Sequence, residues 1–382
     1  MKKYMSCLFL IISGFIYTSC DKEDPIDRNG GLSSGRVTPP NPPYVPPAPP
    51  APTDVTTLFP NSTVIGNLSR PNTGIAATIC NEKLFSAGHV PNKSYVDVFD
   101  LQGAGMVTYE LSAARYHMAA VSTDSKVFIA GGHNGNQAVS RVDIYDMNTK
   151  NWSTAELSIP RYHMAVASIG NFVFFAGGLT SSNTPSSRVD IYDAASNTWS
   201  VAELSKARYL FTAAVLDNII LFAGGQLSIN STTDIVDVFN METNKWTVSH
   251  LSRGRGITQS AVLNGKAYFV GNTSDYVFNR IVDVYDQSTG SWAVMDLNEP
   301  RGVMKMGVSN GKIAIISGYA DYISGSNIMD VFNPAENKWS VVNLASDIVE
   351  QATLSYKNHI YSVGGVIDNE NQLLSAVIRF AL

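Results

Sequence analysis

Residues 111–156 read LSAARYHMAAVSTDSKVFIAGGHNGNQAVSRVDIYDMNTKNWSTAE. In this unit short apolar runs alternate with turn-forming residues, and a glycine pair and a tryptophan each occupy one place. Runs of about four to six β-branched and aromatic residues between turn signals are typical of strands. Four such runs in one repeat predict a four-stranded antiparallel sheet, which is one blade of a β-propeller.

The unit recurs along most of the chain. Each copy starts at a leucine, namely Leu68, Leu111, Leu157, Leu204, Leu251, Leu297 and Leu344. Every tryptophan lies five residues before one of these leucines, at Trp152, Trp199, Trp246, Trp292 and Trp339. Five tryptophans in one register do not arise by chance, so we predict that they are structural residues of a propeller with seven blades.

The two ends of the repeat region complement each other. The last repeat ends at residues 377–380 without a fourth strand, whereas residues 61–68 align with the fourth strand at 197–204. We therefore predict that this amino-terminal strand completes the last blade, because closing the ring removes exposed sheet edges. Thr63 stands at the tryptophan position, so this seam is expected to be the weakest.

The glycine pairs carry a family resemblance. Gly131-Gly132, Gly177-Gly178 and Gly224-Gly225 are each followed by a tyrosine or phenylalanine strand and then a tryptophan at a fixed offset. This pattern resembles the kelch repeat over residues 60–382, and the resemblance implies an all-β, seven-bladed kelch-type β-propeller. The first repeat departs from the pattern, with Gly88-His89 for the glycine pair and Met106 for the tryptophan.

Residues 1–19 have the pattern of a secretion signal. Two lysines precede an apolar run that is shorter than the ~20 residues of a membrane-spanning helix. The stretch ending at Cys20 resembles a bacterial lipobox, which implies lipidation of Cys20 and an anchor made of acyl chains only. Residues 22–24 resemble the surface-export signal of Bacteroidota lipoproteins. We therefore expect a surface-exposed protein of the bacterial outer membrane, with a periplasm-facing lipoprotein as the alternative.

Residues 20–59 form the predicted linker. Ten prolines fall between Pro39 and Pro60. Such density favours extended polyproline II structure, in which 22 residues reach on the order of 70 Å at about 3.1 Å each. This composition predicts a semi-rigid spacer that holds the propeller away from a membrane.

The charge and cysteine counts exclude several kinds of binding partner and structural site. The chain has 27 basic and 32 acidic residues, and removing residues 1–19 takes two lysines, so 25 minus 32 leaves a net charge of −7. No basic stripe supports nucleic-acid binding. After loss of Cys7 and lipidation of Cys20 only Cys80 remains, which excludes an internal disulfide or a cysteine-based zinc site. We predict a monomer without cofactor or metal.

Arginine and aspartate also follow the repeat. Five units carry arginine four residues after the leucine, at Arg115, Arg161, Arg208, Arg255 and Arg301. Six units carry aspartate in the third strand, at Asp97, Asp143, Asp190, Asp237, Asp283 and Asp330. A feature of nearly every blade is usually structural, so we predict buried ion pairs between strands. A ring of arginines that binds an anion is the alternative.

Functional residues are sought where the blades differ. Tyr116 and His117 recur as Tyr162 and His163 in the next unit, at an offset that lines the mouth of the central channel in related kelch proteins. Recent duplication of one blade is an equally good explanation. Loops expected on the same face add further candidates, namely His133, Tyr276, Tyr319 and Tyr322. Rings and polar groups in loops suit a sugar or a protein. We predict a non-catalytic module that binds a glycan or a protein.

Two kelch-fold enzyme families are alternatives to a binding module, and each requires particular catalytic residues. Galactose oxidase shares the seven-bladed kelch fold, but its copper site needs a cysteine bonded to a tyrosine, and Cys80 lies at a strand end. The six histidines show no metal-binding spacing. A second kelch family, the sialic acid mutarotases, uses an acid/base pair in the channel. Glu299 and Glu350 belong to no motif, so a mutarotase-like isomerase remains the alternative function.

Overall fold

The computed structural model describes residues 58–90, 92–103, 105–273, 278–320, 325–367 and 372–382. These residues form strands and turns and contain no helix. Accordingly, this part of the chain has no helix with the length and hydrophobicity to cross a membrane. The predicted signal peptide, the lipidation site Cys20 and almost all of the proline-rich linker lie outside the described residues.

The strands follow the repeat, and we number the blades in chain order. The first described strand is β1 (Thr63–Asn67). The first blade contains β2 (Ala76–Cys80), β3 (Lys83–Val90), β4 (Lys93–Asp100) and β5 (Met106–Glu110). The second contains β6 (Ala119–Ser122), β7 (Lys126–Ala130), β8 (Arg141–Asp146) and β9 (Trp152–Glu156). The third contains β10 (Ala165–Ile169), β11 (Phe172–Ala176), β12 (Arg188–Asp193) and β13 (Thr198–Glu203).

The fourth and fifth blades are one continuous sheet because β18 runs from the outer edge of one to the inner edge of the other. Their strands are β14 (Thr212–Leu216), β15 (Ile219–Ala223), β16 (Gln226–Ser228), β17 (Ser231–Asn240), β18 (Lys245–Leu263), β19 (Lys266–Asn272), β20 (Asn279–Asp286) and β21 (Ser291–Arg301). The sixth blade contains β22 (Lys305–Ser309), β23 (Lys312–Ile316), β24 (Ile328–Asn333) and β25 (Lys338–Asn343).

The last blade contains β26 (Ile348–Val349), β27 (Ala352–Tyr356), β28 (His359–Val363), β29 (Val366–Ile367), β30 (Gln372–Leu373) and β31 (Ala376–Phe380). Each innermost strand contacts that of the next blade, in the order β2, β6, β10, β14, β18, β22 and β27, and β27 contacts β2. All sheets pair antiparallel. The all-β propeller is confirmed, and the count of seven blades stays a prediction from the repeat.

The amino-terminal strand closes the last blade as predicted, but its register differs from the alignment. Strand β1 pairs with β31, and the register shifts between Val64 and Gly66. Thr63 therefore lies opposite Arg379 and does not occupy the tryptophan position. Phe59 supplies the missing ring, because it stacks on Phe380 at 4.3 Å between centroids. Because of this bulge, residues that align in the sequence do not occupy the same position in the blade.

The other blades show the contact that Phe59 replaces. In the five blades that carry a tryptophan, this residue of the outer strand packs on an aromatic ring of the third strand. The pairs are Tyr145–Trp152, Tyr192–Trp199, Phe239–Trp246, Tyr285–Trp292 and Phe332–Trp339, with centroids 4.9–5.1 Å apart. Between neighbouring blades, apolar faces form shared cores, as where Phe128 meets Phe175 edge to face at 6.2 Å. The predicted structural role of the tryptophans agrees with this packing.

The glycine pairs join one blade to the next. The second glycine donates its amide to the carbonyl of the next blade's arginine, as from Gly132 to Arg161 at 2.9 Å and from Gly225 to Arg255 at 2.7 Å. At the ring closure Gly365 donates to Asn72 at 2.9 Å. Gly131 has φ 62°, and a Cβ there would lie 2.3 Å from the Arg161 carbonyl oxygen. The seam between the second and third blades therefore requires glycine at position 131.

The five repeated arginines are fully buried and each pairs with the aspartate of its own blade. The pairs are Arg115–Asp143 (2.5 Å), Arg208–Asp237 (2.7 Å), Arg161–Asp190, Arg255–Asp283 and Arg301–Asp330. In four of the pairs the second carboxylate oxygen accepts the backbone amide of the serine after the repeat's leucine, as from Ser158 to Asp190 at 2.9 Å. In the fifth pair the Asn298 side-chain amide donates to Asp330 at 2.7 Å. Since these guanidinium groups are buried and paired, the structural interpretation of the arginines is favoured over an anion-binding ring.

The pair in the third blade offers a test with a matched control. Replacing Arg161 by Met leaves Asp190 charged in the interior, so the free energy of unfolding should fall by about 3–5 kcal/mol. Replacing Arg188 by Met breaks the half-exposed pair with Glu203 in the same sheet, and should cost less than about 1 kcal/mol. Chemical denaturation measures both. Equal losses in the two variants would contradict a structural role for the buried pair.

Candidate functional site

One turn before the innermost strand has the same unusual backbone in every repeat. Six residues after the repeat's leucine the backbone has positive φ, at Gly74, His117, His163, Leu210, Ile257, Val303 and Glu350, with values from 49° to 60°. This left-handed conformation is unfavourable for residues other than glycine, and most of all for β-branched Ile257 and Val303. Since all repeats share it, the turn is architectural, and only the side chain that it carries differs.

In the second and third blades this turn brings aromatic side chains together. The imidazoles of His117 and His163 lie 4.3 Å apart between ring centroids. Tyr162 lies 4.9 Å from His163 and 5.1 Å from His133, and Tyr116 lies 4.8 Å from His117. We call these five residues the mouth cluster. The structure thus brings five of the eight predicted binding residues into one chain of ring contacts.

Hydrogen bonds orient the rings of the mouth cluster. The Gly135 amide donates to Nδ1 of His133 at 3.0 Å, so that nitrogen is an acceptor. The Tyr116 hydroxyl, 3.0 Å away, then donates to the same atom. The Tyr162 hydroxyl donates to the Asn183 side-chain carbonyl. Neutral His133 therefore carries its proton on Nε2, where it is a hydrogen-bond donor.

The histidines of the mouth cluster are neutral at pH 7. Burial, together with the neighbouring imidazoles of His133 and His89, lowers the pKa of His117 to about 4. Burial also lowers the pKa of His163 well below its usual value, and the pKa of His133 is lowered as well. An uncharged imidazole offers one donor, one acceptor and a flat ring. Such groups suit ligand binding, whereas neutral His117 lacks the imidazolium proton that a general acid transfers.

The structure describes one of the three remaining candidates. Tyr319 is in the sixth blade, where its backbone exchanges two hydrogen bonds with Gly302. Tyr276 and Tyr322 lie outside the described residues. The sequence analysis missed His89, whose ring lies 5.5 Å from Tyr116, and Tyr209, which packs in one apolar cluster with Tyr162. The signal for Tyr209 was the Arg-Tyr pair that three consecutive repeats share, whereas His89 had only its place beside Gly88.

A second polar site lies where the sixth and last blades meet. Lys305 starts the innermost strand β22, at a repeat position held by alanine in β2, β6 and β10. Burial lowers the pKa of Lys305, and the charge of Glu350 partly opposes this shift. Sequence analysis left Glu350 without a motif because its partner stands 45 residues earlier. Lys305 and Glu350 thus bring an amino group and a carboxylate to the region where the innermost strands of these two blades pack together.

Metal binding finds no support in this geometry. Within the ranges that the structure describes, no three histidine, cysteine or acidic side chains are arranged to hold a metal ion. Cys80 is buried, its thiol lies 3.2 Å from the Thr123 carbonyl oxygen, and burial raises its pKa to about 11. A protonated thiol at a strand end is a poor ligand and nucleophile.

The neutral state of His117 predicts how stability depends on pH. In the unfolded chain its pKa is near 6.5, so between pH 6.5 and 4 the unfolded state binds the extra proton. Folding stability should therefore fall as pH falls through this window. His117→Asn keeps a residue that tolerates the left-handed turn, and should reduce that fall by roughly 2–3 kcal/mol.

Denaturation at several pH values between 4 and 7 measures this effect. Val303→Asn is the control, because it places asparagine in the same turn of the sixth blade and removes no imidazole. An unchanged pH dependence in His117→Asn would show that His117 titrates normally in the folded protein.

Comparison with known proteins agrees with this fold. Residues 117–302 match a family described as the KLHDC2/KLHL20/DRC7 Kelch-repeats domain. No curated protein matches the chain. Among solved structures, that of YjhT is similar with a TM-score of 0.55 and 15% identity, covering 74% of this chain and 100% of that one. The family match over residues 117–302 and the likeness to YjhT together show that the chain has the fold of a kelch-type β-propeller.

Proposed function

We propose that the protein is a non-catalytic binding module that recognises a glycan through the mouth cluster. The observation that carries this proposal is the chain of ring contacts from Tyr116 to His163. Flat rings can stack on the apolar faces of a sugar, and neutral imidazoles and phenols can bind its hydroxyl groups. The repeated arginines are paired with aspartates, so the cluster itself has no guanidinium for an anion.

We further propose, from the sequence, that the protein is a lipoprotein of the bacterial outer membrane, held by lipid on Cys20 and exposed at the surface. The proline-rich linker would give the propeller reach toward an extended polysaccharide. Labelling with a fatty acid tests the anchor, since Cys20→Ser should abolish the label. Labelling that survives this substitution would contradict it.

Glycan recognition is tested with purified full-length protein in detergent on an array of host and bacterial polysaccharides. His117→Asn/His163→Asn removes both neighbouring imidazoles and keeps residues that tolerate the turn. We expect specific binding by the parent and a loss of about tenfold or more in the double variant, as for loss of a buried contact at a binding site. Val303→Asn, at the same turn of the sixth blade, should bind as the parent does.

Other outcomes separate the alternatives. Binding that the double variant retains would move the glycan site to other loops. If the parent binds no glycan, the proposal fails, and capture from outer membranes would then test a protein partner.

An isomerase of the mutarotase kind is the second candidate, and the observation that favours it is the half-buried Lys305, which lies within the electrostatic influence of Glu350. An amine with a lowered pKa and a carboxylate can pass a proton to and from a sugar ring. Interconversion of sugar anomers by the parent, but not by Lys305→Ala, would support this candidate.

A further inference from the structure

A pocket of about 240 Å³ lies on the first blade, beside the chain that leaves the closing strand β1. Its walls include Arg70, Lys93, Tyr95, Thr108 and Glu110. We propose that this pocket binds a sugar that carries a carboxylate, such as a uronic acid unit of a polysaccharide. The site is separate from the mouth cluster and does not depend on the function proposed for that cluster.

Arg70 is the central residue of the pocket. Its guanidinium carbon lies 5.0 Å from the centre of the Tyr95 ring, in a cation–π contact. Tyr95 is only 4% exposed, so its ring is a fixed platform for an exposed guanidinium. In the described part of the chain no carboxylate forms an ion pair with Arg70. The planar fork of Arg70 is thus oriented and available to hold a carboxylate with two hydrogen bonds.

The other charges of the pocket neutralise each other. Lys93 Nζ lies 2.9 Å from Glu110 Oε2, and both side chains are exposed. Arg70 is therefore the charged lining residue that has no ion-pair partner, and it can attract a ligand with a negative charge. The buried Asp97 carboxylate lies behind this wall, where Ser69 and Thr108 donate hydrogen bonds to it. The ammonium and carboxylate beside it can donate to and accept from hydroxyl groups. A carboxylate next to several hydroxyls is the pattern of a uronic acid.

The pocket depends on departures from the repeat. In the second and third blades Arg141 and Arg188 occupy the position of Tyr95, and each pairs with a glutamate. In the first blade Tyr95 takes that place, and an arginine two residues after the repeat's leucine lies over its ring. A feature that only one blade has is not needed for the blade architecture, and this favours a binding role.

The test is calorimetric titration of the full-length protein with D-galacturonate. Neutral D-galactose tests the need for the carboxylate, and acetate and phosphate test the need for the sugar. Arg70→Gln removes the charge at an exposed position, and Arg253→Gln is the matched control, because Arg253 is exposed and also follows its leucine by two residues.

We expect galacturonate to bind more tightly than galactose, acetate or phosphate, and to raise the melting temperature because it binds only the folded chain. Arg70→Gln should weaken the affinity about tenfold or more, the effect of one lost charged hydrogen bond. Arg253→Gln should bind as the parent does. Arg70→Lys, which keeps the charge but loses the planar fork, should fall between parent and Arg70→Gln.

Three results would overturn the proposal. The first is no binding of galacturonate by the parent. The second is unchanged affinity in Arg70→Gln. The third is acetate or phosphate binding as tightly as galacturonate, which would leave a simple anion site. None of these results bears on the mouth cluster, since Arg70 makes no contact with it among the described residues.

Discussion

The propeller depends on the repeated arginine, which makes contacts both within its own blade and with the previous blade. Inside its own blade the guanidinium of Arg161 pairs with buried Asp190, and toward the previous blade its backbone carbonyl accepts the amide of Gly132. The same residue therefore ties the inner turn to the third strand and one sheet to the next. Burial lowers the pKa of Arg161 to about 10, and the charge of Asp190 opposes this change, so the Arg161 guanidinium stays charged at neutral pH. Taking such a pair out of water is costly, and either charge left alone costs more.

Blades that lack the arginine replace its contacts with different chemistry. In the first blade, Asp97 accepts hydrogen bonds from Ser69 and from Thr108, the latter at 2.6 Å. The seam to the second blade uses the Ser94 hydroxyl, which donates to the Arg115 carbonyl at 2.6 Å and accepts its amide at 2.7 Å. These substitutes meet the need of buried polar groups for partners. Because of these hydrogen bonds, the first blade does not need the repeated arginine. The pocket around Arg70 lies in this blade.

The proposed glycan-binding site differs from this pocket, because it lies on a turn that every blade has. The left-handed turn is present in all repeats, and the fold bears its strain whatever side chain it carries. When two adjacent blades carry histidine there, the rings meet at 4.3 Å. A recent duplication of the Arg-Tyr-His segment and a binding role are therefore compatible, since the duplication itself creates the paired imidazoles.

The sequence alone determined what repeats: the strands, the propeller, the closing strand, and the pairing of Arg115 with Asp143 and its equivalents. A period of about 46 residues marks these features because every blade needs the same local contacts. The contacts of residues that occur once required the tertiary structure. Phe59 replaces a tryptophan because of a bulge, the charge of Glu350 in the last blade acts on Lys305 in the sixth, and Arg70 lies over the ring of Tyr95. Interactions of this kind depend on strand register and on which strands are neighbours in the fold. Neither leaves a periodic signal in the sequence.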